Sequence, residues 1–351
     1  MSTESFFSKE HIETFRLNAS AVLAEQAIHC LELVSELAES GLSFMFKGGN
    51  SLLMLLEKPA RFSIDVDIAT DKSREEIELV LDKIVQKYGR FNKWERRQHK
   101  TKPWIPLSSY YLFYRSLYDN SENCSVMLDV QMMRSPYKTQ FKPVACGTLY
   151  KSPVSAEVPL PSSIIGDKLL TLGPNTLGIP LGKGKEAQRL KHVFDVSRLL
   201  KTLPALSEIK ESFKACIGQE NRIQQKEITE KEIIKDTMRF CWSVVFCQDT
   251  PEQEKCSPVL AENARGIGPF AEHLFDAGYC WSDLQTDMAR VAMCISAVGE
   301  ESITDSQFIE SLEGNGSCSP LPDGVLENNS FARKYWETVF KWTDADFLLD
   351  E

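Results

Sequence analysis

Between Arg61 and Thr70 the chain reads Arg-Phe-Ser-Ile-Asp-Val-Asp-Ile-Ala-Thr, with Ile64, Val66 and Ile68 alternating against Ser63, Asp65 and Asp67. A period of two is the signature of a β-strand, whose successive side chains leave opposite faces. Asp65 and Asp67 therefore share one face, with Cα atoms roughly 6.5–7 Å apart, within joint reach of one or two divalent cations. Like charges held side by side among isoleucine and valine are unfavourable unless a cation compensates them. The competing reading of such a pair is an exposed strand face.

Upstream, Leu42 to Phe46 reads as a short strand that runs into Lys47-Gly48-Gly49-Asn50-Ser51-Leu52, and Ser51 to Glu57 has the apolar density of a short helix stopped by Pro59. Paired glycines between strand and helix let a backbone approach a ligand, and the free N–H groups of a helix start favour an anion such as a phosphate. A third acid, Asp129, stands in the apolar run Ser125-Val126-Met127-Leu128-Asp129-Val130. If that strand lies beside the Asp65 strand, three carboxylates converge. In-line phosphoryl displacement assisted by two metals is then available, with one acid placed to accept the proton of an attacking hydroxyl.

From the candidate cap Ser8, apolar residues recur at helical spacing from Ile12 to Leu37, which predicts one long amphipathic helix. Ser73 caps a helix through Tyr88, and Tyr110–Leu117, Ser125–Met133 and Pro143–Tyr150 read as further strands of one sheet. A capped helix from Ser162 to Leu172, a Gly/Pro-rich stretch from Gly173 to Gly184 and a helix from Lys185 to Leu200 follow. Beyond Leu203 the texture is helical, punctuated at Gly218, at Gly266 to Pro269 and at Gly314 to Pro322. The expected fold is α/β (α+β): a mixed-sheet domain over residues 1–203 with a long N-terminal helix, then a helical domain over 204–351.

The net charge of −10 on 351 residues argues against a surface coated in nucleic acid but permits a local patch. Lys87, Arg90, Lys93, Arg96, Arg97, Lys100 and Lys102, interleaved with Phe91, Trp94 and Trp104, form the best such candidate, either an RNA-contacting surface or a solvated hairpin. Lys183, Lys185, Arg189 and Lys191 form a second basic region after glycines that suggest a closing loop. Ten cysteines without a CxxC pair give no zinc motif, and the longest apolar run, five residues, is far too short to span a membrane. With no basic start leading into an apolar core at the N-terminus, a cytoplasmic location is the expectation.

The KGGNSL element followed by RFSIDVDI, whose first aspartate stands 16 residues after Gly49, resembles the AbiEii/AbiGii-type nucleotidyltransferase toxins of the polymerase-β-like superfamily. Lys168-Leu169-Leu170-Thr171-Leu172 and Lys191-His192-Val193-Phe194-Asp195-Val196 resemble a further pair of family elements. The sequence departs from the family at Asn50, where Thr or Ser is usual, and at His192, where an acid is frequent. The resemblance implies that Asp65, Asp67 and Asp129 bind Mg²⁺ or Mn²⁺ and carry the catalysis. It further implies that Lys47, Gly48, Gly49, Asn50, Ser51, Lys168, Lys191 and Asp195 bind the nucleotide, Asp195 orienting Lys191 one helical turn away. The implied substrate is an NTP, the acceptor RNA, in particular the 3′ end of tRNA, and the partner an antitoxin. Alternatives are a nucleotide-binding module without turnover, or transfer to a protein or small molecule.

Overall fold

The computed structural model describes residues 3–16, 19–87, 89–97, 106–119, 124–247, 249–252, 256–275, 278–316 and 318–343. They form two compact units, the first built from residues 1–160 and 273–277, the second from 161–272 and 278–351. The helices over Pro161–Leu169 and Glu186–Leu200 belong to the second unit.

The first unit holds a seven-stranded mixed sheet. In chain order its strands are β1 (Met45–Lys47), β2 (Asp65–Ala69), β3 (Phe91–Arg97), β4 (Leu107–Tyr114), β5 (Ser125–Gln131), β6 (Thr139–Cys146) and β7 (Tyr150–Pro159); in space they run β3-β4-β5-β2-β1-β7-β6. β2 pairs parallel with β5 and β1 parallel with β7, while the other neighbours are antiparallel. The alternation around Asp65 is realised as read: Val66, Ile68, Leu128 and Val130 have no exposed surface. They share a core with the helix over Ala21–Glu39 and with the helix over Arg74–Gln86, which the Ser73–Glu76 capping box starts.

Three details depart from the sequence reading. The single long N-terminal helix is two, α1 (Lys9–Phe15) and α2 (Ala21–Glu39). The break has a local cause, since Ser20 Oγ accepts the Leu23 N–H as a fresh N-cap and Arg16 Nη1 donates to Ala19 O at 2.6 Å. The strand read over Pro143–Tyr150 is the corner of a hairpin: β6 ends at Cys146, the chain turns at Gly147 and β7 starts at Tyr150, with a slip in the pairing between Pro143 and Ala145 that accommodates Pro153. The region from Gly266 to Pro269 does not interrupt the chain but lies inside a helix over Pro258–Ala271, and Gly218 lies inside one over Leu206–Gln224.

A five-residue return, His273 to Ala277, completes the first unit. Phe62 N–H donates to His273 O at 3.2 Å, Phe275 N–H to Ala60 O at 3.0 Å, and the Phe62 and Phe275 rings meet edge-on at 4.2 Å.

The second unit is helical and centres on the helix over Trp281–Gly299, most of whose residues are buried. Its Asp287 carboxylate accepts from Ser197 Oγ at 2.5 Å and from the Tyr279 hydroxyl at 3.0 Å, with Arg198 and Arg290 alongside; burial pushes its pKa up despite these partners. The Gly/Pro-rich stretch, expected as a closing loop, is anchored within this unit. Asp236 accepts from Asn175 N and Nδ2, both at 2.8 Å, and from Thr176 Oγ1 at 2.9 Å. Arg189 binds Ile179 O at 2.9 Å and pairs with Glu262 at 3.1 Å. Polar anchoring of this kind is not revealed by glycine content alone.

His29, stacked on Tyr114 at 3.7 Å with its Nδ1 hydrogen-bonded to Glu25 O at 2.9 Å, makes the first unit sensitive to acid. Burial lowers its imidazole from 6.5 to about 4. The ring is therefore neutral in the fold, and between those two values the unfolded chain binds the additional proton. The stability it contributes is full above pH 6.5 and falls as the pH drops toward 4, by about 3 kcal/mol. Thermal denaturation across that range should show a flatter dependence of Tm on pH in His29→Phe than in the natural chain.

Candidate functional site

Sheet register decides which side chains meet. Asp67 lies opposite Asp129 across the parallel β2–β5 pair, and Asp65, two residues earlier, opposite Met127. Residues paired across a sheet leave the same face. All three carboxylates therefore stand on the face away from Val66, Ile68, Leu128 and Val130, and all three residues are half-buried. The same row continues outward: Lys47 pairs with Asp67 on one side, and Ser109 with Asp129 on the other. The Ser109 hydroxyl donates to Asp129 Oδ1, which fixes that carboxylate and occupies one of its oxygens. Lys47 Nζ donates to Gln131 Oε1 at 2.5 Å on this face and lies 5.7 Å from the centre of the Tyr137 ring. Sequence reasoning missed Ser109, which declares itself only through its register with Asp129, and Gln131, whose signal was present two residues beyond Asp129.

The paired-glycine turn abuts the acids. Gly48 has φ +74°, and a Cβ there would lie 2.0 Å from Asp67 Oδ2. Only glycine satisfies both the left-handed backbone and that approach. Gly49 packs against the Arg61 guanidinium, where a Cβ would meet Nη2 at 2.6 Å. Among the described residues the first backbone hydrogen bond of the turn runs from Leu52 N–H to Gly49 O at 3.4 Å. Gly48 and Gly49, which precede it, are the part of the turn that keeps accessible surface, so an anion would meet the turn there. The following helix is only Leu52–Leu55. One turn carries little macrodipole, so the anion affinity expected of a helix start belongs to the turn itself. Asn50 and Ser51 are fully buried, and their side chains build the turn: Asn50 Nδ2 donates to Asp65 O at 3.2 Å and Ser51 Oγ to Gly48 O at 2.8 Å.

Lys168, Lys191 and Asp195 lie in the second unit. Asp195 is 1% exposed and its carboxylate holds Lys168 Nζ at 3.0 Å, joining helices that the sequence spacing does not show as partners. Besides the Lys191 that stands one helical turn before it, Asp195 thus has Lys168 as an ion-pair partner. The Thr171 hydroxyl donates to Lys168 O at 2.7 Å, so His192 Nδ1, 2.5 Å from Thr171 Oγ1, is the donor in that contact. His192 thereby braces the turn that follows Lys168.

The basic run around Trp94 divides. Lys87 pairs with Glu36 at 2.8 Å, Arg96 with Glu78 at 3.3 Å and Lys93 with Glu95 at 3.1 Å, while Arg90 lies 3.9 Å from the centre of the Phe7 ring. Trp94 packs edge-on against Tyr110 and donates from Nε1 to Asp82 at 2.9 Å, so it faces the helix-covered side. Lys100, Lys102 and Trp104 lie outside the described residues.

Three carboxylates on one face are hard oxygen donors of the kind Mg²⁺ and Mn²⁺ prefer. Among the described residues no three His, Cys, Asp or Glu side chains close round a single point. Small divalent ions keep several waters and bind through one or two carboxylates, so the donor set on this face fits such an ion.

The family model described as the nucleotidyl transferase AbiEii toxin of type IV toxin–antitoxin systems matches residues 32–242. Among solved structures, MenT4, a nucleotidyltransferase toxin from Mycobacterium tuberculosis H37Rv, is similar with a TM-score of 0.47 and 14% identity, over 90% of this chain and 100% of that one. No curated protein matches the sequence. No helix among the described residues is long and apolar enough to cross a membrane.

The clearance at Gly48 is testable against a matched position. Gly147 has φ +50°, but nothing lies within 4 Å of a Cβ placed there. Gly147→Ala should cost only the left-handed backbone penalty, about 1 kcal/mol, whereas Gly48→Ala adds the collision with Asp67 and should cost at least about 2 kcal/mol. Thermal or urea denaturation of the two variants measures the difference.

Proposed function

The chain belongs to the AbiEii nucleotidyltransferase toxin family, and we propose that it transfers a nucleoside monophosphate from an NTP to the 3′ end of an RNA, tRNA in particular. The observation that carries this reading is the register of Asp67 with Asp129, with Asp65 on the same face and the Gly48-Gly49 turn against Asp67.

Asp65, Asp67 and Asp129 would hold one or two Mg²⁺ or Mn²⁺ ions, which supply charge neutralisation for the triphosphate and acidify the attacking hydroxyl. The Gly48-Gly49 turn receives phosphate oxygens, while the buried Asn50 and Ser51 side chains hold that turn in shape. Lys47 places a cation at the edge of the acid row. The acceptor 3′ oxygen attacks the α-phosphorus, the bond to the β-phosphate breaks, and pyrophosphate leaves. Asp129, with Oδ1 engaged by Ser109, has its second oxygen to offer either to a metal or to the proton released from the acceptor. In the second unit Asp195 holds the Lys168 ammonium in place as a phosphate contact, and Lys191 supplies a further cation. Modification of the cell's own RNA in the cytoplasm would arrest growth, and an antitoxin is the expected counterpart.

Transfer of label from α-labelled NTP to purified tRNA, other RNA or protein tests the proposal. Labelled tRNA with released pyrophosphate is the expected result, and Asp65→Asn combined with Asp67→Asn should lower the rate by about 10³-fold or more, the loss of several kcal/mol of transition-state stabilisation. Label found only in protein would replace the acceptor. NTP binding without any pyrophosphate release, unchanged in the double variant, would end the catalytic reading.

A further inference from the structure

The face that carries the three acids continues across β5, β4 and β3. Asp65 pairs with Met127, Met127 with Tyr111 and Tyr111 with Glu95; one row along, Asp129 pairs with Ser109 and Ser109 with Arg97; Phe113 pairs with Lys93. Tyr111, Phe113, Met127, Lys93 and Arg97 therefore share the acids' face. Their neighbours on the other face, Tyr110, Leu112, Tyr114 and Leu128, are at most 3% exposed, whereas Tyr111, Phe113 and Met127 are only partly buried. Two aromatic rings and a thioether are left partly in water directly beside a polar site.

Cations flank these apolar side chains. Arg97 Nη1 lies 3.6 Å from Met127 Sδ, so the guanidinium reaches inward over β4 toward β5. Lys93 Nζ sits 4.1 Å from the centre of the Phe113 ring, and its ion pair with Glu95 is exposed and thus readily exchanged for another anion. Flat rings for bases with cations for phosphates are the combination that binds unpaired nucleotides. Two strand spacings, about 9.5 Å, separate Tyr111 from Asp65 along the row, a distance a terminal nucleotide can bridge.

We infer that this face is the acceptor platform: the unpaired 3′-terminal nucleotides of an RNA lie across β3, β4 and β5, one base stacked on Tyr111 against Met127 and its neighbour on Phe113. Arg97 and Lys93 contact the phosphates, and the terminal hydroxyl is delivered to the acids. The inference rests on the nucleotidyltransferase reading above and extends it to how the acceptor is recognised. Recognition by stacking and charge favours a single-stranded 3′ overhang over a flush duplex and requires little of its sequence.

Fluorescence anisotropy with a labelled hairpin RNA bearing a 3′ overhang, run beside the labelling assay on the full chain, tests it. Tyr111→Leu should weaken overhang binding by about 5- to 100-fold, the range for loss of one stacked base. It should raise KM for RNA in similar proportion, with kcat, NTP binding and Tm close to those of the natural chain. Tyr111→Phe should restore binding. Arg97→Gln should reduce the salt dependence of binding by about one phosphate contact. Equal affinity in Tyr111→Leu and the natural chain overturns the platform, as does equal affinity for a flush duplex. If RNA is labelled with unchanged KM in Tyr111→Leu, the platform alone falls. If RNA is bound through Tyr111 but never labelled, the platform stands and the transferase reading falls. A variant that loses labelling of a protein acceptor while keeping RNA affinity assigns the face to protein and overturns the inference.

Discussion

Everything at the candidate site depends on one pairing, the parallel alignment of β2 with β5 that sets Asp67 beside Asp129. A slip of one residue would turn the Asp129 carboxylate into the core and bring Leu128 or Val130 out to the polar face. The apolar partners forbid that slip, since Val66 and Ile68 must stay buried against α2 together with Leu128 and Val130. The hydrophobic effect on one side of the sheet thus enforces an electrostatically unfavourable arrangement on the other. Three neighbouring carboxylates repel one another, and the protein meets this with Lys47 at the row's edge and the Ser109 hydroxyl on Asp129.

The centre of the site was legible in the sequence because alternation is a local signal. Asp65 and Asp67 announce their common face within six residues, and Asp129 betrays itself as a lone acid in an apolar run. The glycine pair was legible for the same reason, although its one-turn helix proved too short to account for anion affinity. Contacts between distant segments were not legible. The ion pair of Asp195 with Lys168 joins two helices on either side of the Gly/Pro-rich loop, and no local spacing announces it. The direction in which Trp94 points was hidden for a related reason. Trp94 occupies a strand position whose parity faces the helices, and only the register shows that Tyr111 and Phe113, on the adjoining strand, take the open side.

Prolines and serines caused the remaining differences. Pro153 disguised β7, because a proline inside a strand is tolerated only where a bulge absorbs it. Ser20 split a helix whose apolar periodicity runs on unbroken through the cap, and periodicity alone cannot see a hydrogen bond to a backbone amide. Gly266 shows the converse: it lies inside a helix because it packs closely on Leu190 and Glu186 of a neighbouring helix, whereas Gly218 is carried on an exposed helix face.

The return of His273 to Phe275 onto the first unit has a consequence for biosynthesis. Phe62, three residues from Asp65, receives its ring neighbour and its backbone acceptor from a segment more than two hundred positions later in the chain. On the ribosome, the sheet can assemble early but its acid-bearing strand lacks this last clasp until residue 275 has left the exit tunnel. An active nascent fragment is thereby disfavoured, and a chain that stops short carries an unfinished centre.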